Sequence, residues 1–217
     1  GGSVFKDGRV ESFVLQIAEK GYADYKLVAT NIGGHSSQPR PDNAIYALAG
    51  ALKTLEEYRF KPMINEATRA FYQRVGEQDK GVYGEIVRNW LADPDDRQNA
   101  DLLESIDSGY TRTRCVATMV DAGHAPNALP QKAEANVNCR IFPGTTGEDI
   151  RRELQAIVGQ EVTVELRDPP VIAPPSPLRP DIIEAYTKAL APRFPDAPVL
   201  PWMSAGASDG AYTRAAG

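Results

Sequence analysis

The sequence predicts an α+β protein whose main domain is a ferredoxin-like βαββαβ sandwich, an antiparallel sheet with two helices on one face. Three observations lead there: a strand-like run followed by an amphipathic helix, two alternating apolar–polar runs in close succession, and a second amphipathic helix leading into a last strand. A polar stretch between the halves then reads as an insertion.

Taken in order, "FVLQIAEKGYADYKLVATN" reads as two strand pieces with a break at Gly21. A helix follows, with Asp42 behind Pro41 as its N-cap and Ile45, Leu48, Ala49, Leu52 and Leu55 spaced to share one buried face. Residues 64–108 are polar, with short amphipathic pieces such as "VYGEIVRNWLAD" and "NADLLESI" parted by Gly and "DPDDRQN" breakers, which predicts a helical insertion. In "TRCVATMVDAG", Cys115, Ala117 and Met119 fall on one face; in "KAEANVNCRIFPG", Ala135, Val137, Cys139 and Ile141 do the same, so these are expected to be paired strands. "TTGEDIRRELQAIVG" is a second helix, with Thr146 as N-cap, Asp149 three residues on and Gly159 as its stop, and "VTVELRD" closes as a strand. The sandwich is therefore placed at 22–168, insertion included, with a strip of another domain at 1–21. At 169–217 the proline-rich "PPVIAPPSPLRP" leads to a helix, "DIIEAYTKALAPRF", and to "PVLPWMSAGASDGAYTRAAG", a strand entering a small-residue loop and a further helix start.

A chain of 217 residues can bury a proper core, and its net charge of -5 without a basic run argues against nucleic acid and anionic membrane as partners. No apolar run approaches the roughly 20 residues needed to span a bilayer, and the first residues resemble no signal peptide. The expected compartment is cytoplasmic. Cys115 and Cys139 are the only cysteines. If the two strands pair around a loop near Asn127 the thiols could come within reach of a disulfide, but in a cytosol they are expected to be free, reduced and turned to the core.

The chemistry-bearing residues lie in loops. His35 sits in "GGHSSQP"; His124 and Asn127 lie in "DAGHAPNALP"; Arg140 stands on its strand opposite the face of Cys139; Ser204 to Gly210 form "SAGASDG". Singly these are weak signals, since a lone loop histidine, asparagine or arginine is more often a solvated surface residue than a catalyst. Their ordered conjunction, a "GGHSSxP" loop followed by "NA" and a helix, then "GxxxNxLPxxAxxxxxxR", then a terminal "SxGxSDG", resembles the zinc-dependent exopeptidase and deacylase family of aminoacylase, peptidase T, succinyl-diaminopimelate desuccinylase and glutamate carboxypeptidase.

That resemblance implies a ferredoxin-like lid inserted into an α/β catalytic domain, with two lids pairing into a homodimer. It implies that His35 reaches the partner subunit's active site as an oxyanion donor, that Asn127 assists there, and that Arg140 binds a substrate carboxylate through its planar fork. Ser204, Gly206, Ala207, Ser208 and Asp209 would form a loop whose backbone N–H groups cradle the same carboxylate. The substrate would be a peptide or N-acyl amino acid. Family members hold two zinc ions, and the ligands they use are missing here: Glu56-Glu57 reads as a solvated helix end, and Asp209 as part of the substrate loop. The chain is thus expected to be a piece of a larger amidohydrolase, its metal ligands lying before Gly1 and after Gly217, and to be inactive alone. The alternative of a different class is a non-catalytic ferredoxin-like dimerisation or ligand-sensing module.

Overall fold

A computed structural model describes residues 2–6 and 8–216; Gly1 and Gly217, where the flanking ligands are expected to connect, lie outside the described residues. Along the chain run β1 (Gly2–Lys6), β2 (Arg9–Glu19), β3 (Gly21–Thr30), β4 (Gly34–His35), α1 (Ala44–Glu57), α2 (Glu66–Gln78), α3 (Val82–Ala92), α4 (Arg97–Ile106), β5 (Arg114–Ala122), β6 (Ala128–Leu129), β7 (Lys132–Ile141), α5 (Gly147–Val158), β8 (Val162–Leu166), α6 (Pro180–Leu190), β9 (Val199–Ser204) and α7 (Gly210–Ala216). They divide into two compact units, one of residues 21–60 and 113–172, the other of 1–20, 61–112 and 173–217.

The first unit is the sandwich. Its sheet has the order β5-β7-β3-β8 with every pair antiparallel, the ferredoxin-like arrangement in which the two outer strands flank a central β3–β7 ladder. Alternate residues of β3 and β7 are buried, because one face of the sheet packs on α1 and α5 while the other stays polar. Tyr25, Leu27, Leu48, Leu55, Val137, Ile141, Ile150, Leu154 and Val164 form the core. The buried Tyr25 hydroxyl donates to the Gly147 carbonyl at 2.8 Å, so the one polar atom on that ring is satisfied. α5 begins with the expected capping box, Thr146 and Asp149 each bonding the other's backbone N–H.

Four expectations need correction. α1 is capped by Asn43, whose side chain accepts from the Ile45 N–H at 2.8 Å, because Asp42 is already held by Arg40 at 2.9 Å and Asn31 at 2.7 Å. Its buried face is Ala44, Leu48, Ala51 and Leu55; Ile45 and Ala49 are exposed. In β5 the ladder to β7 shifts between Ala117 and Met119, and this bulge turns Met119 opposite Asn136 on the polar face, 67% exposed, instead of in line with Cys115 and Ala117. A one-residue slip reverses the face of everything after it. Finally, Cys115 and Cys139 are directly opposite in the β5–β7 ladder and are joined in a disulfide, not held as free thiols.

The second unit contains a three-stranded sheet, order β1-β2-β9, with β1 antiparallel and β9 parallel to β2. The three insertion helices belong to this unit and not to the sandwich, so the 22–168 boundary encloses a segment that packs elsewhere. The reason is their own core of Tyr72, Val87, Trp90, Ala100 and Leu103, and the seating of α2 on β9, where the Asn65 side-chain amide meets Met203 Sδ at 3.2 Å.

Candidate functional site

In the sandwich, the structure places His35 and Asn127 on neighbouring backbone. β4 and β6 form a two-residue ribbon with His35 opposite Ala128, and the Ser36 N–H donates to the Asn127 carbonyl at 2.9 Å. This close approach depends on glycine: Gly33 has φ 76°, and a Cβ there would lie 2.7 Å from Gln131 Cγ. The loop is anchored further by the Asn31 side chain, which accepts from the Gly33 N–H at 3.0 Å and donates to Asp42 at 2.7 Å. His35 is exposed. Its Nδ1 accepts from the Ser37 backbone N–H at 3.2 Å and lies 2.8 Å from the Ser37 hydroxyl. A backbone N–H can only donate, so in the neutral ring the proton sits on Nε2, and the loop presents an N–H donor outward.

Arg140 stands at the other end of β7. Asn127 and His35 flank the start of that strand, and at ~3.3 Å rise per residue Arg140 is roughly 25 Å away from them. Its guanidinium carbon lies 5.0 Å from the centre of the Tyr22 ring, a cation–π seat that orients the fork. The Tyr22 hydroxyl in turn donates to Asp24 at 2.6 Å, and that bond to an anion raises its pKa. Asn136 and Asn138 also donate to Asp24, at 2.9 and 3.0 Å. Arg114 is directly opposite Arg140 in the ladder. The register puts both side chains on the same face of the sheet, opposite that of Cys115 and Cys139. Sequence reasoning missed Arg114, although pairing Cys115 with Cys139 would have put it there.

In the second unit, β2 and β9 run parallel and end together, Glu19 opposite Ser204, so the following loop leaves from the carboxyl edge where α/β sheets place ligand sites. Ala207, Ser208 and Asp209 are exposed there. The Gly206 N–H is turned onto Ser204 Oγ at 3.2 Å, while the N–H groups of Ala207 and Asp209 have no acceptor among the described residues. Ser208 is tied inward to Glu19, a residue that sequence reasoning also missed: it lies outside every motif, and only the fold brings it within reach.

No three His, Cys, Asp or Glu side chains among the described residues come together to hold a metal ion. The described side chains therefore do not make a zinc centre among themselves. No helix among them is long and apolar enough to cross a membrane.

Residues 17–164 match the model of the M20 peptidase dimerisation domain. A Dictyostelium discoideum protein named "Probable carboxypeptidase S-like 2" is 30% identical over 197 residues, covering 89% of this chain and 37% of its own length. "N-fatty-acyl-amino acid synthase/hydrolase PM20D1.1" of Danio rerio is 28% identical over 173 residues, 74% of this chain and 32% of that protein. The chain thus spans about a third of the length of these relatives. Among solved structures, the M20 family metallo-carboxypeptidase Sso-CP2 from Sulfolobus solfataricus superposes with a TM-score of 0.52 at 17% identity, over 92% of this chain and 57% of that one. Aminopeptidase PepT from Bacillus cereus also gives 0.52, at 11% identity over 92% and 42%. These two likenesses concern the fold alone. On the family model and the carboxypeptidase-like relative together, the chain belongs to the M20 peptidase family and carries its dimerisation domain.

Proposed function

We propose that this chain is the dimerisation lid, with adjoining catalytic-domain segments, of a zinc-dependent amidohydrolase that cleaves the amide of a peptide or N-acyl amino acid bearing a free carboxylate. His35 donates its Nε2 proton to the oxyanion of the tetrahedral intermediate, Asn127 supports the same end of the substrate, and Arg140 receives the carboxylate. The loop of Ser204, Gly206, Ala207, Ser208 and Asp209 offers backbone donors to a substrate carboxylate. The metal and its nucleophilic water come from parts of the protein outside these residues. The names of the relatives, carboxypeptidase-like and N-fatty-acyl-amino acid hydrolase, support this substrate class.

The observation that carries the reading is the separation of the two groups in one lid. His35 with Asn127 and Arg140 with Arg114 occupy opposite ends of the β5–β7 hairpin, far beyond the span of one amino-acid substrate. A second copy removes the difficulty. β5 is an edge strand exposed along almost its whole length, with Val116, Met119 and Val120 each more than half exposed and Ile45 and Tyr46 of α1 also uncovered. Antiparallel pairing of two such edges about a two-fold axis sets the Arg114 end of one copy beside the Ala122 end of the other. The partner's His35 then belongs to the same substrate as this copy's Arg140.

Mixing tests this directly in the full-length protein. Assayed at substrate concentrations far below the raised KM of Arg140→Ala, His35→Ala and Arg140→Ala are each expected to be nearly inactive, but random subunit exchange between them makes half the dimers mixed, each with one intact site, restoring about a quarter of wild-type activity. Mixtures no better than the separate variants would refute the shared site.

A further inference from the structure

Glu19 ends β2 almost wholly buried, at 4% exposure. Its carboxylate accepts from the Ser208 hydroxyl at 2.5 Å and from Gln16 Nε2 at 2.9 Å, and lies 2.6 Å from Arg214 Nη2 of α7. The Arg214 contact is a close ion contact outside hydrogen-bond angles, which leaves Glu19 Oε1 and both Nε and Nη2 of Arg214 buried without a hydrogen bond. A buried carboxylate thus holds two points of the segment after β9, one on the loop and one on the helix, across 189 and 195 positions of sequence. The space is made by Gly210, where a Cβ would lie 3.0 Å from Arg214 Nη1 and 3.1 Å from Ser208 Oγ. Ser208 Oγ also accepts from the Gly210 N–H at 3.2 Å, so one hydroxyl joins Glu19 to the turn into α7.

We infer that Glu19 is a positioning residue for substrate-carboxylate recognition: through Ser208 and Arg214 it fixes the 204–210 loop in the shape that aims its free backbone N–H groups. The inference rests on the proposed reading of that loop. Burying a charge is costly unless it is paired and hydrogen-bonded, and a carboxylate so placed stabilises one arrangement of its donors over others. A merely space-filling residue would need no charge and no reach to Ser208.

The test uses the full-length protein with N-acetyl-L-leucine and its carboxamide, following release of the leucine amine. Glu19→Gln keeps an acceptor for Ser208 and removes the partner charge of Arg214; Ser208→Ala keeps the ion pair and removes the tether. Each is expected to lower kcat/KM on the free acid roughly tenfold, chiefly through KM, and to change the carboxamide less than twofold. Ser208→Thr, which retains the hydroxyl, is expected to restore the free-acid value. Equal losses on both compounds in Ser208→Ala would mean general damage to the fold and would overturn the inference. A wild type that prefers the free acid, with Glu19→Gln and Ser208→Ala unchanged, would overturn the inference alone. A wild type indifferent to the carboxylate would overturn the reading of the loop itself, and the inference with it.

Discussion

Reducing the Cys115–Cys139 disulfide is expected to destabilise the sandwich substantially while leaving its fold intact. The bond joins residues 24 positions apart, and the loop it closes is the β5–β7 hairpin whose tip carries Asn127. Confining a loop of ~25 residues in the unfolded chain is worth about 3.5 kcal/mol in the chain-entropy account. That is a large share of the ~5–15 kcal/mol of a typical domain. In a unit of roughly 100 residues it corresponds to a fall in Tm of about 15 °C. Reduction is the cleaner perturbation, because Cys139 is fully buried and Cys→Ala would add a packing loss of its own. The measurement is a calorimetric melt of the oxidised and reduced chain, with amide exchange of β5 followed in parallel. β5 has a ladder partner on one side only, so its amides should lose protection first. A melt unchanged by reductant, or two titratable thiols in the unreduced native protein, would refute the argument.

Other outcomes can be stated in the same terms. In the full-length protein, His35→Ala should lower turnover by about 10²–10³ with KM within a few-fold, whereas Arg140→Ala should raise KM first, because it meets a carboxylate present throughout the reaction; steady-state kinetics separate the two. Val116→Lys with Val120→Lys places charge along the exposed β5 edge and should yield monomers by light scattering. Glu104 is half-buried, and this desolvation alone would raise its pKa, but the Thr111 hydroxyl and N–H at 2.6 and 3.0 Å and the Gly109 N–H at 3.1 Å hold it below its ordinary value. The stability this contributes is fully present above about pH 4.5 and is lost as pH falls through the lowered folded value. Glu104→Gln should therefore flatten the acid limb of a stability–pH curve measured by denaturant titration.

Much of the sandwich was legible because its signals are local. The alternation of Ala135, Val137, Cys139 and Ile141, and the Thr146–Asp149 box, each follow from a few neighbouring residues and a single periodicity. What was not legible depends on partners distant in sequence. Asn43 displaces Asp42 as the cap only because Asn31 and Arg40 have claimed the carboxylate. The helices of 64–108 are legible as an insertion between the halves of the sandwich, but their attachment to β9 is not. Glu19 is an ordinary strand residue until Ser208 and Arg214 arrive from the far end of the chain. The thiols were judged by compartment, which the chain does not state, when the strand register alone already set them face to face.

The places where the fold departs from simple patterning cluster along β5. Val116, Met119 and Val120 stand exposed along it, and Thr118 interrupts the ladder near the middle of the strand. Its side chain then bridges to Asn136, whose amide donates to Thr118 Oγ1 at 2.9 Å. Both departures make sense on an edge that meets a second copy of itself. A long, flat, apolar edge is a template for unlimited strand addition. A bulge bends and twists it, which makes it a poorer template for a regular strand. In the proposed dimer the two-fold axis carries Arg140 of one lid toward the His35 loop of the other, so the edge that meets its own copy also brings together the substrate's two binding ends.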